Sequence, residues 1–174
     1  MAEDEANYST GEEPQPTYNG EEVLTSVTSF YQLLQRMYLP NDSIKYPPAA
    51  GWIWPTSTTF SPPKSTNVIN IMKHMPYLKR QYGQESLHIY EKTEAVDYSS
   101  PEELEKEGNA YKLDPEPRVT TLPAHVLMMG FARGRDGHYV FLDTERGTWT
   151  LCDFQVGPNI QTDLSEVSLT EYLR

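Results

Sequence analysis

Residues 125–155 read HVLMMGFARGRDGHYVFLDTERGTWTLCDFQ, and this stretch decides the fold. It divides into three apolar runs separated by two turn signals. Gly134-Arg135-Asp136-Gly137 supplies the first turn. Thr144-Glu145-Arg146-Gly147 supplies the second, with Gly147 placed for a positive φ at the close of a type I turn plus bulge. Both connections are too short for a parallel crossover, so the three strands form an antiparallel meander. Alternation puts His125, Leu127, Met129 and Phe131 on one side of the first strand and Val126 and Met128 on the other. In the second strand Tyr139 and Phe141 oppose Val140 and Leu142, and in the third Trp149 and Leu151 oppose Cys152 and Phe154. A sheet with one solvated face alternates apolar with polar residues, and these strands do not. Both faces are therefore expected to be covered.

Upstream, Asn19-Gly20-Glu21-Glu22 has the form of a helix start, with Asn19 as the N-cap. Val23, Val27, Phe30, Leu34 and Met37 follow at spacings of four and three, widened by Leu24, Tyr31 and Tyr38, and Pro40 ends the pattern. A second helix is expected from Thr66 to about Met75, capped by Ser65 and stopped by Pro76. Leu87 to Tyr90 and Thr93 to Tyr98 are candidate short strands. Capping boxes at Ser100-Pro101-Glu102-Glu103 and Ser168-Leu169-Thr170-Glu171 mark a brief helix and a terminal turn. The fold class expected is α+β. A three-strand meander at about 125–154, extended by one or two further strands, packs against two or three helices in a single domain over residues 19–174.

The chain carries a net charge of −11, and residues 1–22 contribute −7 of it with no Lys or Arg. Residues 1–18 are accordingly expected to be a disordered acidic tail. No basic patch of the kind phosphate backbones require is present, so no nucleic-acid partner is expected. No run of about 18 apolar residues occurs and no signal peptide opens the sequence, so neither a membrane span nor secretion is expected. The single cysteine, Cys152, excludes an internal disulfide and reads as a small buried hydrophobe in a reducing compartment, cytoplasmic or nuclear.

Residues 40–64, PNDSIKYPPAAGWIWPTSTTFSPPK, form a Pro- and Trp-rich loop of extended, polyproline-like character. Trp52 and Trp54 flank Ile53, so both indoles project to one side. They serve either to staple the loop onto the core or to present a binding surface to a protein partner, where Trp is enriched. The histidines His74, His88, His125 and His138 lack metal-ligand spacing and no Walker, GxSxG or dinucleotide fingerprint occurs, so no metal and no cofactor are expected. Asp136, His138, Asp143 and Asp153 are the one polar cluster with acid–base potential. Turn chemistry explains Asp136 and Asp143 more simply, and alternation sends His138 and Asp143 to opposite faces.

Leu122-Pro123-Ala124-His125-Val126, Gly134-Arg135-Asp136-Gly137 and the run Leu142-Asp143-Thr144-Glu145-Arg146-Gly147-Thr148 resemble uncharacterised proteins of filamentous fungi. Met75-Pro76-Tyr77-Leu78 and Thr93 through Tyr98 are similar to the same group. The strand–GxxG–strand–LDT–G–strand pattern, followed by Ser168-Leu169-Thr170-Glu171-Tyr172-Leu173, also resembles the SUKH superfamily of fungal cell-wall-synthesis regulators and bacterial immunity proteins. That resemblance implies an α+β protein-interaction domain without catalysis. The chain differs from the superfamily in carrying the Pro-rich loop where a short Gly-Gly turn usually follows the first helix. Two functions from different classes follow: a non-catalytic interaction domain using Trp52 and Trp54, or a small enzyme or accessory protein of a fungal metabolic pathway using the polar cluster.

Overall fold

The computed structural model describes residues 18–55, 63–79, 87–99 and 122–153. The acidic tail, the capping boxes at Ser100 and Ser168, and the segment 56–62 lie outside the described residues, apart from Tyr18 at the tail's end.

Helix α1 spans Gly20–Met37, and Asn19 caps it as the sequence predicts, its side-chain oxygen accepting from Glu21 N (3.1 Å) and Glu22 N (3.4 Å). Val23, Val27, Tyr31 and Leu34 are its buried face. Strand β1 (Ile44–Lys45) follows, then helix α2 (Thr66–His74), whose N-cap Ser65 accepts from Val68 N. Strand β2 (Tyr77–Leu78) pairs antiparallel with β1, Ile44 opposite Leu78. Strand β1 falls inside the region expected to hold only extended loop, and β2 follows α2 where no strand was expected. A two-residue strand offers no period to read.

Strands β3 (His88–Tyr90), β4 (Thr93–Ala95), β5 (Val126–Ala132), β6 (His138–Asp143) and β7 (Thr148–Asp153) form one antiparallel sheet in the order β3-β4-β5-β6-β7. The fold is thus α+β, with the meander and two additional short strands in place. Gly134 and Gly147 take φ of +79° and +70°, and Gly147 N donates to Asp143 O at 2.9 Å. The expected positive φ at the second turn is present.

One expectation fails within β5. Met128 pairs with Phe141 but Gly130 pairs with Val140, so Met129 is a bulge residue. The extra residue reverses the faces beyond it. Phe131 consequently lies with Tyr139 and Phe141, its ring 5.6 Å from that of Tyr139, and opposite to Leu127, which pairs with Leu142. Central strands β5 and β6 are buried on both faces, whereas edge strand β7 exposes Leu151 and Asp153. A single hydrophobic cluster joins Val27, Tyr31, Ile71 and Met72 of the helices to Leu127, Met128 and Leu142 of the sheet.

Candidate interaction site

Helix α2 ends at His74 and leaves carbonyls without intrahelical partners. The Trp loop supplies a donor to one of them and a second to the carbonyl of the C-cap residue Met75. Trp52 N donates to Lys73 O at 2.8 Å, and Trp52 Nε1 donates to Met75 O at 2.9 Å. Tyr77 Oη donates to Met72 O at 2.6 Å. Gly51, at φ +79°, allows this approach, because a Cβ there would stand 2.9 Å from Lys73 O. Trp54 is fixed independently: its Nε1 donates to Tyr98 O at 2.9 Å, and the Lys73 ammonium lies 5.6 Å from its ring centre.

An aromatic line carries the loop into the sheet. The Trp52 and Tyr77 rings are 5.8 Å apart, the Tyr77 and Tyr98 rings 6.1 Å apart, and Tyr98 Oη donates to Met128 O of β5 at 2.8 Å. Both indoles are half-buried and bond to backbone carbonyls of the protein; the extended reading puts them on one side without deciding which. The residue between them faces away, and Ile53 is 82% exposed. The alternation that turned both indoles to one side carried this signal, yet it drew attention to the rings rather than to the residue opposite them.

The polar cluster is divided. Asp136 pairs with the Lys92 ammonium across two turns. Asp143 is a turn cap at the other end of β6, its Oδ1 accepting from Glu145 N (2.8 Å) and Arg146 N (3.0 Å), with His125 Nε2 3.8 Å from its Oδ2. His138 and Asp153 are paired in register across β6 and β7. His138 stands edge-on to Tyr90 at 5.1 Å, and its buried Nδ1 has no hydrogen-bond partner among the described residues. His138 and Asp143 thus occupy opposite faces and opposite ends of one strand. Among the described residues, no group of three or more His, Cys, Asp or Glu side chains is arranged to hold a metal ion. Burial pushes the Cys152 thiol up to about 11, so it remains protonated at neutral pH.

Three charged features were not visible in the sequence. Lys45 pairs with the buried carboxylate of Asp97 and donates to Ser99 Oγ at 2.7 Å, while Ser99 N donates to Asp97 Oδ1 at 2.9 Å. This polar knot ties β1 to the segment after β4, and burial together with the Asp97 charge pushes the Tyr31 hydroxyl pKa upward. Glu94, buried on β4, meets Arg133 at 2.6 Å. Lys64, also buried, donates to Val126 O (2.9 Å) and Pro123 O (3.2 Å), and burial lowers its pKa to about 8. In each case the partners are far apart in the chain or are backbone atoms. No local pattern announces them.

Among the described residues no helix is long and apolar enough to cross a membrane. No protein-family model, curated protein or solved structure matches the chain.

Proposed function

We propose that the chain is a non-catalytic protein-interaction domain, of the SUKH-like kind its sequence resembles, and that its contact surface is the Trp52-Ile53-Trp54 loop. The observation that carries this is the exposure of Ile53, 82%, on a loop held by hydrogen bonds on both sides of it. An aliphatic side chain placed in water gains nothing for the isolated fold, whereas its burial against a partner contributes about 1.5–3 kcal/mol. A loop already ordered by two indole N–H bonds loses little further entropy on binding. The indoles serve as anchors, and Ile53 serves as the contact. A fungal origin and a cytoplasmic or nuclear location belong to the same proposal, supported by the sequence resemblance and the single buried thiol.

Affinity capture from a fungal lysate with the intact chain and with Ile53→Asp tests the reading. We expect a stoichiometric partner retained by the first and lost by the second, at equal stability. A partner held equally by both, or none at all, would count against it.

A further inference from the structure

The surroundings of this loop have a sequence signature in charge. From residue 43 to residue 79 the chain contains Lys45, Lys64, Lys73 and Lys79 and neither Asp nor Glu. The molecule otherwise is strongly acidic, with 25 acidic residues in 174. An even spread would place about five acidic residues in that window on average composition.

Three of the four lysines are engaged: Lys45 with Asp97, Lys64 with two backbone carbonyls, and Lys79 with Asp42 at 3.4 Å. Lys73 is different. Its ammonium lies over the Trp54 ring and meets no carboxylate among the described residues. The negative end of the α2 dipole accounts for a basic residue in the last turn. It does not account for the exclusion of acidic residues from the whole window, nor for the position of Lys73 over the Trp54 ring. A cation seated on the Trp54 ring, with no carboxylate partner among the described residues and next to a loop whose apex is an exposed aliphatic, is complementary to an acidic amphipathic chain.

Resting on the interaction reading above, we infer that the partner contributes an acidic, amphipathic protein segment. Its apolar side chains lie against Ile53 and the outer parts of Trp52 and Trp54, and its carboxylates face Lys73.

The test uses the full chain, isotope-labelled, and three short synthetic peptides: Glu alternating with Leu, Lys alternating with Leu, and Glu alternating with Ser. We expect the Glu/Leu peptide alone to move the amide signals of Trp52, Ile53, Trp54 and Lys73 and the two indole N–H signals. Its affinity should fall by roughly tenfold, equivalent to about 1.4 kcal/mol, in Lys73→Glu and as salt is raised. Lys73→Gln, which avoids placing an anion at the helix end, should show a smaller loss in the same direction. Shifts at the loop with the Lys/Leu peptide as strong as with Glu/Leu would overturn the acidic partner while leaving the loop an interaction surface. Shifts confined elsewhere, or none, would overturn it too, and capture with Ile53→Asp then decides the interaction reading separately. One further variant asks about the chain's own N-terminal acids, with Glu3, Asp4, Glu5, Glu12 and Glu13 changed to Gln or Asn. If that change moves the loop signals with no peptide present, the occupant is this chain's own segment and the separate partner is overturned.

Discussion

The meander of β5, β6 and β7 and the loop at residues 51–55 are held by different means. In the meander every residue pair from His138–Asp153 to Asp143–Thr148 is in register, and the backbone ladder is shared among many equivalent bonds. The loop depends on a few particular donors: Trp52 N, Trp52 Nε1 and Trp54 Nε1, each to one carbonyl. The ladder is insensitive to side-chain identity at its exposed positions and sensitive to volume in its interior. The loop is insensitive at its apex and sensitive to single N–H groups. A surface that must stay fixed while offering an exposed aliphatic requires the second arrangement.

The sharpest way to break the comparison is in the interior of the meander. Leu142 is fully buried between Leu127 and Trp149, its register partners. Leu142→Ala should lower the unfolding free energy by about 2–5 kcal/mol, read as a reduced denaturant midpoint at unchanged slope. A loss below 1 kcal/mol, on the scale of surface changes, would mean the sheet collapses around the gap and that interior volume is not what holds it.

The junction between the two regions is probed by pH. Lys64, at the entrance to α2, binds the carbonyls that open the meander, and its pKa is lowered to about 8 by burial. A lowered amine pKa means the unfolded chain binds more protons than the folded one between about pH 8 and the ordinary value near 10.5. Its favourable contribution is therefore complete above the unfolded value and is lost as pH falls through about 8. Cys152 works in the other direction: stability is full below its unfolded pKa of 9.0 and is lost as pH rises through about 11. The Cys152 contribution, like that of Tyr31, is common to wild type and Lys64→Met and cancels in their difference. That difference, followed by chemical unfolding, should move in favour of wild type as pH rises across the window, by on the order of 2 kcal/mol. A flat difference would place the Lys64 ammonium in contact with water.

These two regions were unequally legible in the sequence, for the same physical reason that they are held differently. The meander was readable because its turns need glycines at positive φ and its runs are of strand length. The caps at Asn19 and Ser65 were readable because a side-chain oxygen must satisfy helix-end N–H groups. The bulge at Met129 was not, since VLMMGFA contains no polar residue whose misplacement would reveal a change of face. For the Trp loop, the sequence showed that the indoles share a side. It could not show that Met75 O and Tyr98 O receive them, because backbone carbonyls are the same at every residue. The use of Asp143 as a turn cap followed from turn chemistry, whereas the ion pair of Asp136 with Lys92, 44 residues away, did not. The register pairing of His138 with Asp153 needed the strand alignment.

A smaller effect is expected from the anchors. Trp52→Phe keeps an aromatic ring near Tyr77 but removes the N–H that reaches Met75 O. A loss of about 1–2 kcal/mol is expected, the usual consequence of leaving a partly buried acceptor unmatched. Faster amide exchange at Trp52 N, whose bond to Lys73 O depends on the same loop geometry, should accompany it. A loss of stability without that local opening would place the effect in the ring packing and leave the indole hydrogen bond without a role in fixing the loop.

The smallest expected effect sharpens the comparison most. Ile53→Ser should change the unfolding free energy by no more than about 0.5 kcal/mol, because the side chain is 82% exposed and the loop is positioned by its neighbours. Serine also removes a β-branched residue from an extended segment, so a small loss is more natural than a gain. The comparison with Trp52→Phe then becomes a test of division of labour between adjacent residues. If Ile53→Ser proves as destabilising as the loss of the indole N–H, the apex contributes to the fold and its exposure needs no partner to explain it. If stability is unchanged while partner capture is lost, the loop separates into residues that hold it and a residue that it holds out.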